Sequence, residues 1–560
     1  MYLLNSLIFL IPSFIALVQA FKASPFKLLP ALWKLQQAHE KPAFLLATPY
    51  PEYNFSVPVD HLHNETRYAP HSDDFFDLRY WFDAQHYREG GPVFVIAAGE
   101  AEASERLPFL SHGIVSQLAA KYNGIGVILE HRYYGKSYPV DALTPENIRF
   151  LSTDQAIADY AYFARNVVFP GLEHLNLTAS RVPWIAYGGS YAGAFVAFLR
   201  KLYPDVYWGA VSSSGVTAAI EDYWEYMEPI RQFGPSDCIK VLQTSTDIVD
   251  RVLIDHADNE SLRLQLQSAF GLSSPLADVD FAAMLSLPLG SFQGRNWDPA
   301  VGSDGFLQYC TNITSSDLLY PDTEAVAESV KELIHVAGYD ATNFSLVTQI
   351  LNYAGYFNTT IFSQISNANH PVARTRILPR SDSTSWAYQV CTEWGYFITG
   401  SSVPSDIMPL VSRLIDLSYT SSTCASEFAI TTPPNTDIIN KHGGFDFSHS
   451  RVAIIDGLAD PWRQATPHAD VAPARRSTDD EPFLLIDIAA KDVWDGMRGA
   501  VHHWDQNGLT KEQLSKGERP PGAVVDIHRE VVRLVGAWLK QWKGLDWKSR
   551  DEEGQQVMQF

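Results

Sequence analysis

The stretch Val182-Pro183-Trp184-Ile185-Ala186-Tyr187-Gly188-Gly189-Ser190-Tyr191-Ala192-Gly193 decides how this chain is read. Its first half is a short apolar run of the kind that forms a buried strand, and two glycines stop it. Ala192 to Leu202 then reads as a helix of small residues. A serine at such a sharp strand-to-helix turn has its hydroxyl exposed, and small neighbours let strand and helix approach closely. Ala192 stands where the usual G-x-S-x-G pattern has its last glycine, and it is small enough to keep that packing.

Outward from this turn the same grammar repeats. Gly91 to Ala98, Ile125 to Leu129 and Trp208 to Ser213 are further strand-like apolar runs, and Leu110 to Tyr122 has helical spacing. Ser152 with Gln155 forms a capping-box pattern ahead of an amphipathic run through Val168. Strands alternating with helices imply a largely parallel sheet covered on both faces. From Gly215 to His442 the alternation stops, and this part holds all four cysteines. It resumes with Arg451 to Ile455 and Phe483 to Ile488. It closes on a helix with Val524, Ile527, Val531, Leu534, Trp538 and Trp542 on one face. The economical division is a leader at 1–20, a prosegment or extension at 21–50, an α/β domain in two parts at 51–214 and 443–545, a mainly helical insertion at 215–442, and a polar tail at 546–560.

Composition narrows the function. Apolar residues make up 46% of the 560, enough for a large core, and 64 acidic residues against 42 basic ones give a net charge of −22. That balance argues against nucleic acid or an anionic membrane surface as partner. Met1 to Ala20 carries no charged side chain, and its apolar run from Leu7 to Val18 is shorter than the roughly 20 residues a membrane span needs. It ends in Val18-Gln19-Ala20, which suits signal-peptidase cleavage. Seven sequons, at Asn54, Asn64, Asn176, Asn259, Asn312, Asn343 and Asn358, point the same way. The expected product is secreted, or delivered to a vacuolar or lysosome-like compartment, with no membrane span after the leader is removed. Cys238, Cys310, Cys391 and Cys424 permit three pairings.

A serine at an elbow is only a third of a catalytic unit. Arg451 to Ile455 runs into Asp456-Gly457-Leu458-Ala459-Asp460-Pro461-Trp462, a loop leaving the C-terminal end of a strand, where a carboxylate could orient an imidazole. Asp456 and Asp470 compete with Asp460 for that role. Further on, His502-His503 is the only adjacent histidine pair in the chain. Ser, Asp and His thus occur in the order that this kind of fold requires. No metal site emerges, since His61-Leu62-His63 is too isolated to supply ligands. Gly188-Gly189 lacks the lysine of a phosphate cradle. The chemistry calls for no cofactor.

With these residues in hand, the chain resembles the serine peptidases that include lysosomal Pro-Xaa carboxypeptidase, dipeptidyl peptidase II and secreted acid prolyl endopeptidases. The resemblance runs from about Phe55. It rests on Phe55 to His61, Arg79-Tyr80-Trp81, Gly99-Glu100, Glu130-His131-Arg132-Tyr133-Tyr134-Gly135-Lys136-Ser137, Leu151 to Ala156, Gly188 to Tyr191, Asp460-Pro461-Trp462 and His502-His503. It implies an α/β-hydrolase fold with a large helical cap inserted. It also implies Ser190 as nucleophile, Asp460 as orienting acid and His502 as base, with His503 a neighbour. The oxyanion donors would be the Tyr191 amide and an amide of the Gly99-Glu100 loop. The resemblance further pairs Cys391 with Cys424, leaving Cys238 with Cys310.

Peptide substrates cut after proline are implied, with Trp462 and Ala194 as pocket walls and Glu100 a possible holder of a free amine. The expected mode is exopeptidase, either carboxypeptidase or dipeptidyl peptidase. Prolyl endopeptidase is the alternative, then an esterase or lipase of the same fold, and last a non-catalytic binding protein.

Overall fold

The computed structural model describes residues 50–363, 377–488 and 499–542. The expected leader, all but the last residue of the 21–50 segment and the expected tail lie outside the described residues. Eight of the described strands form one sheet: β1 (Tyr53–Pro58), β2 (Phe75–Asp83), β3 (Val93–Ala97), β4 (Ile125–Leu129), β5 (Trp184–Gly189), β6 (Gly209–Ser213), β9 (Val452–Gly457) and β10 (Phe483–Ile486). Their order is β1-β2-β4-β3-β5-β6-β9-β10. The first two pairings are antiparallel and the rest parallel. Every residue of β3, β4, β6 and β9 is buried, as expected of parallel strands covered on both faces. This is the α/β-hydrolase arrangement that the sequence led us to expect.

Four helices pack the sheet: α1 (Ile114–Tyr122), α2 (Thr153–Asn166), α3 (Tyr191–Leu202) and α4 (Gly522–Lys540). On α4 the expected Val524, Val531, Leu534 and Trp538 are buried. Ile527 is only half-buried, and Trp542 lies past the helix end, edge-on to Trp208. Trp538 packs so tightly on β6 that a Cβ at Gly209 would sit 2.8 Å from its ring.

Three local readings shift. β5 extends through Gly188 and Gly189, because both pair in register with Ser212 and Ser213 of β6. The capping box at α2 is half made. Ser152 accepts from the Gln155 amide N–H, but the Gln155 side chain turns to Asp60 and to the backbone N–H of His61. The antiparallel β1–β2 edge is not among the strands read from the sequence. In β2, Phe76, Leu78 and Tyr80 alternate with Arg79, whose buried guanidinium is matched by Glu130. That charge interrupts what would otherwise be a recognisable run.

Between β6 and β9 the chain forms mainly helices, including Ser236–Asp250, Gly305–Thr314, Phe344–Tyr356 and Asp382–Gln389. A small parallel pair joins β7 (Ile220–Asp222) to β8 (Gly395–Phe397). Phe270, Phe281 and Phe357 meet edge to face at 5.4–5.7 Å in the core of this insertion. Both disulfides lie here, Cys238–Cys310 and Cys391–Cys424, in the pairing that the resemblance implied. Six of the seven sequon asparagines are exposed. Asn312 is half-buried and bonds Gln308 and Tyr320. Among the described residues, no helix is long and apolar enough to cross a membrane, and no cluster of His, Cys, Asp and Glu could hold a metal.

Candidate active site

In the sheet register, Gly189 of β5 lies opposite Ser213 of β6, and Ser213 opposite Ile455 of β9. Ser190 follows the β5 end and Asp460 the β9 end, while His502 comes after β10 in the chain; this is the edge where open α/β sheets bind ligands.

Ser190 follows β5 directly and holds φ 59°, ψ −128°, a conformation that side-chain-bearing residues rarely adopt. Its amide N–H donates to the carbonyl of Ser213 at 2.9 Å, which ties the turn to β6. The two glycines before it serve close approach. A Cβ at Gly188 would lie 2.0 Å from the Ala192 carbonyl oxygen, and one at Gly189 would meet the His503 ring at 3.0 Å. Tyr191 opens α3, so its N–H has no carbonyl of its own helix to bond.

Asp460 leaves the β9 end as the cap of a short 3-10 helix, Pro461–Ala465. One carboxylate oxygen accepts from the Trp462 amide at 2.9 Å, and the other accepts from His502 Nδ1 at 2.8 Å. The carboxylate is fully buried. A proton held at Nδ1 by this contact makes Nε2 the basic nitrogen of His502. The competing acids are placed elsewhere. Asp456 binds His468 Nδ1 at 2.6 Å, with that ring stacked on Phe483, and Asp470 binds Arg463 and Gln464. The His503 ring lies against that of His502, centroids 3.7 Å apart and planes tilted by 34°, and His503 also has positive φ. Burial, with His502 and Arg106 nearby, holds its pKa well below the usual imidazole value, so it stays neutral.

The loop after β3 approaches α3 closely, since a Cβ at Gly99 would lie 3.0 Å from that of Ala192. Its continuation Ala101-Glu102-Ala103 is fixed by charge. Glu102 pairs with Arg79, and its amide N–H donates to Asp382 of the insertion at 2.8 Å. Asp382 also accepts from the Gly135 amide at 3.0 Å. The Tyr191 side chain is braced by the same part of the insertion. Its ring lies against Trp386 and Trp394, and its hydroxyl meets His131 Nε2 at 2.8 Å. Burial lowers His131 to about 4, so this partner is neutral.

Trp462 sits beside His502, ring centroids 6.5 Å apart. Three tyrosines of the insertion clamp it: Tyr223 stacked at 5.5 Å, with Tyr226 and Tyr396 edge-on. Gln293 accepts both the indole N–H and the Tyr226 hydroxyl. Ala194 is fully buried in α3 and offers no exposed surface. Glu100 lies near enough to Tyr191 to push its phenol upward, though burial is the larger cause of that shift.

Sequence reasoning missed Asp382, Gln293 and the three tyrosines, which are far in sequence from the triad. It also missed Asp505, three residues past His502. That carboxyl is buried beneath the strand ends, where Tyr187 of β5 and Ser213 of β6 donate their hydroxyls to it. Burial raises it to about 6.

A family model described as serine carboxypeptidase S28 matches residues 65–474, a span that includes Ser190 and Asp460 and ends before His502. A probable extracellular serine carboxypeptidase of Arthroderma benhamiae is 44% identical over 501 residues, 88% of this chain and 68% of that protein. A serine protease of Bipolaris victoriae, vicPb, is 26% identical, covering 76% of this chain and 81% of the other. The thymus-specific serine protease of Mus musculus is 25% identical, covering 74% and 78%.

Proposed function

The chain belongs to the serine carboxypeptidase S28 family, and from that premise we propose that it is a secreted serine peptidase that cuts after proline and releases C-terminal residues. The observation that carries this reading is the buried Asp460–His502 pair at 2.8 Å, on the same sheet edge as the Ser190 turn.

The chemistry follows from the geometry. Ser190 Oγ attacks the scissile carbonyl while His502 Nε2 takes its proton. The resulting oxyanion is met by the Tyr191 N–H and an amide of the Gly99-Glu100 loop, at the N-terminus of α3. Collapse breaks the C–N bond, and His502 hands its proton to the departing amine. Water then attacks the acyl-enzyme by the same route and frees Ser190. The face of Trp462 toward His502 suits a proline ring before the scissile bond. Secretion is supported by the apolar leader, six exposed sequons, two disulfides and the name of the Arthroderma relative.

The test is a substrate panel with a Ser190→Ala control. It holds an amino-blocked Pro-Xaa peptide with a free carboxylate, an amino-free Xaa-Pro-anilide, its blocked counterpart and a short-chain ester. Cleavage of the first, lost in the variant, is expected. A preference for the amino-free anilide would move the reading to a dipeptidyl peptidase using Glu100. Ester turnover alone would make the protein an esterase.

A further inference from the structure

Ser190 and His502 stand on loops far apart in sequence, yet proton transfer between them requires a geometry held to within about 0.5 Å. Asp460 orients the imidazole from the β9 side. The register of the His502 loop against β5, which carries the nucleophile, calls for a second tie. We propose that Asp505 is this tie, a positioning residue that holds the base loop in register with the Ser190 turn. The inference rests on the Ser190 and His502 assignments given above and adds what sets their spacing.

Asp505 lies in the same turn as His502 and is buried. One carboxylate oxygen accepts from the Ser213 hydroxyl at 2.5 Å, and the other from the Tyr187 hydroxyl at 2.8 Å. Both partners lead directly to the nucleophile. Tyr187 is in β5, shortly before Ser190, and the Ser213 carbonyl accepts the Ser190 amide N–H at 2.9 Å. A parallel contact runs one residue on, where the His503 amide donates to Ser214 Oγ at 3.2 Å. The main chain of Asp505 is held from outside the sheet, since its carbonyl accepts from His528 Nε2 of α4 at 2.8 Å. A ring nitrogen that faces a carbonyl carries its proton, so this contact is made by the neutral imidazole.

The chemistry of the residue fits the task. A carboxyl group offers two oxygens, so one side chain can bridge two strands at once. Tyr187 and Ser213 are themselves buried, and a buried hydroxyl is costly to leave unbonded. The bridge therefore resists sliding of the base loop along the strand ends. Gly189 allows the approach that this requires, because a Cβ there would meet the His503 ring at 3.0 Å. These contacts reach Ser190 and His502 through intervening residues, which makes the role of Asp505 positional.

The experiment measures the rate at which a small fluorophosphonate labels Ser190, a step in which Oγ displaces fluoride from phosphorus and gives its proton to His502. In Asp505→Ala that rate should fall about 10- to 100-fold, the scale of a misplacement of about 1 Å. Inhibition by a peptide ending in proline should change less than about threefold, because binding does not use the base. Asp505→Asn should lose less than the alanine variant, since hydroxyls can rotate to suit an amide. Tyr187→Phe and Ser213→Ala each remove one donor and should each cost about 3- to 10-fold, which decides the matter if the alanine variant does not fold. Unchanged labelling in folded Asp505→Ala, or in both single-donor variants, would overturn the proposal. A loss of peptide binding in step with the labelling rate would overturn it too, since the whole site would then be disordered. Labelling that survives in Ser190→Ala would remove the nucleophile, and this inference with it. A wild type that is labelled but leaves every proline peptide intact would overturn the proline reading and leave this inference standing.

Discussion

Asp382 offers a direct test of whether the helical insertion helps build the catalytic centre as well as covering it. Its two oxygens hold the amide N–H of Glu102 at 2.8 Å and that of Gly135 at 3.0 Å. It thereby fixes the loop that should supply one oxyanion donor. A hydrogen bond to a charged group contributes about 1.5–3 kcal/mol, a neutral one about 0.5–1.5. Asparagine in its place keeps one neutral acceptor and turns an N–H toward the other amide. The tie then weakens by about 2–4 kcal/mol.

If that tie positions the loop, Asp382→Asn should lower kcat about 10- to 100-fold. This stays below or at the lower end of the 10²–10³ that a lost oxyanion donor costs, as expected for a donor displaced but not removed. KM for a blocked Pro-Xaa peptide should move less than about threefold, because ground-state contacts are elsewhere. The assay is steady-state kinetics on that peptide, with circular dichroism to show that the variant is folded. A folded variant whose kcat stays within about threefold of wild type would refute the argument, and so would a rise in KM alone.

Two further outcomes are expected. Asp460→Asn should cost about 10⁴ in kcat with the fold intact, because the amide N–H would face His502 Nδ1 and move the ring proton to Nε2; a loss below tenfold in single-turnover acylation would remove Asp460 from the triad. Asp505, raised to about 6 by burial against about 3.9 unfolded, binds a proton in the native state that the unfolded chain releases. Its stabilising contribution is complete below pH 4 and is lost as pH rises to 6, so Asp505→Asn should flatten the fall in melting temperature over that window, and an unchanged slope would show that the carboxyl is not the source.

Much of the candidate site was legible because its parts are local. The strand, two glycines and serine at 182–193 form one continuous signal, and the Asp460 and His502 loops leave strands that can be recognised alone. The choice of Asp460 over Asp456 was not legible from spacing. It is decided by which carboxylate finds which imidazole, and Asp456 finds His468. The tyrosines around Trp462 were invisible for a related reason, since Tyr223 and Tyr396 meet only through the β7–β8 pairing. Asp505 looked like an ordinary polar residue after a histidine pair, and its burial follows from the hydroxyls of Tyr187 and Ser213 above it. In β2 a buried ion pair disguised the strand, and at α2 the Gln155 side chain served a distant loop instead of its own helix end.

The place of β9 beside β6 has a consequence for how the protein is made. The nucleophile is synthesised early, but β9, Asp460 and His502 emerge only after the whole insertion. Domains form from the N-terminus as the chain leaves the ribosome. Throughout that time Ser190 has neither base nor orienting acid. During its own synthesis the chain is thus kept inactive by the order in which its parts emerge.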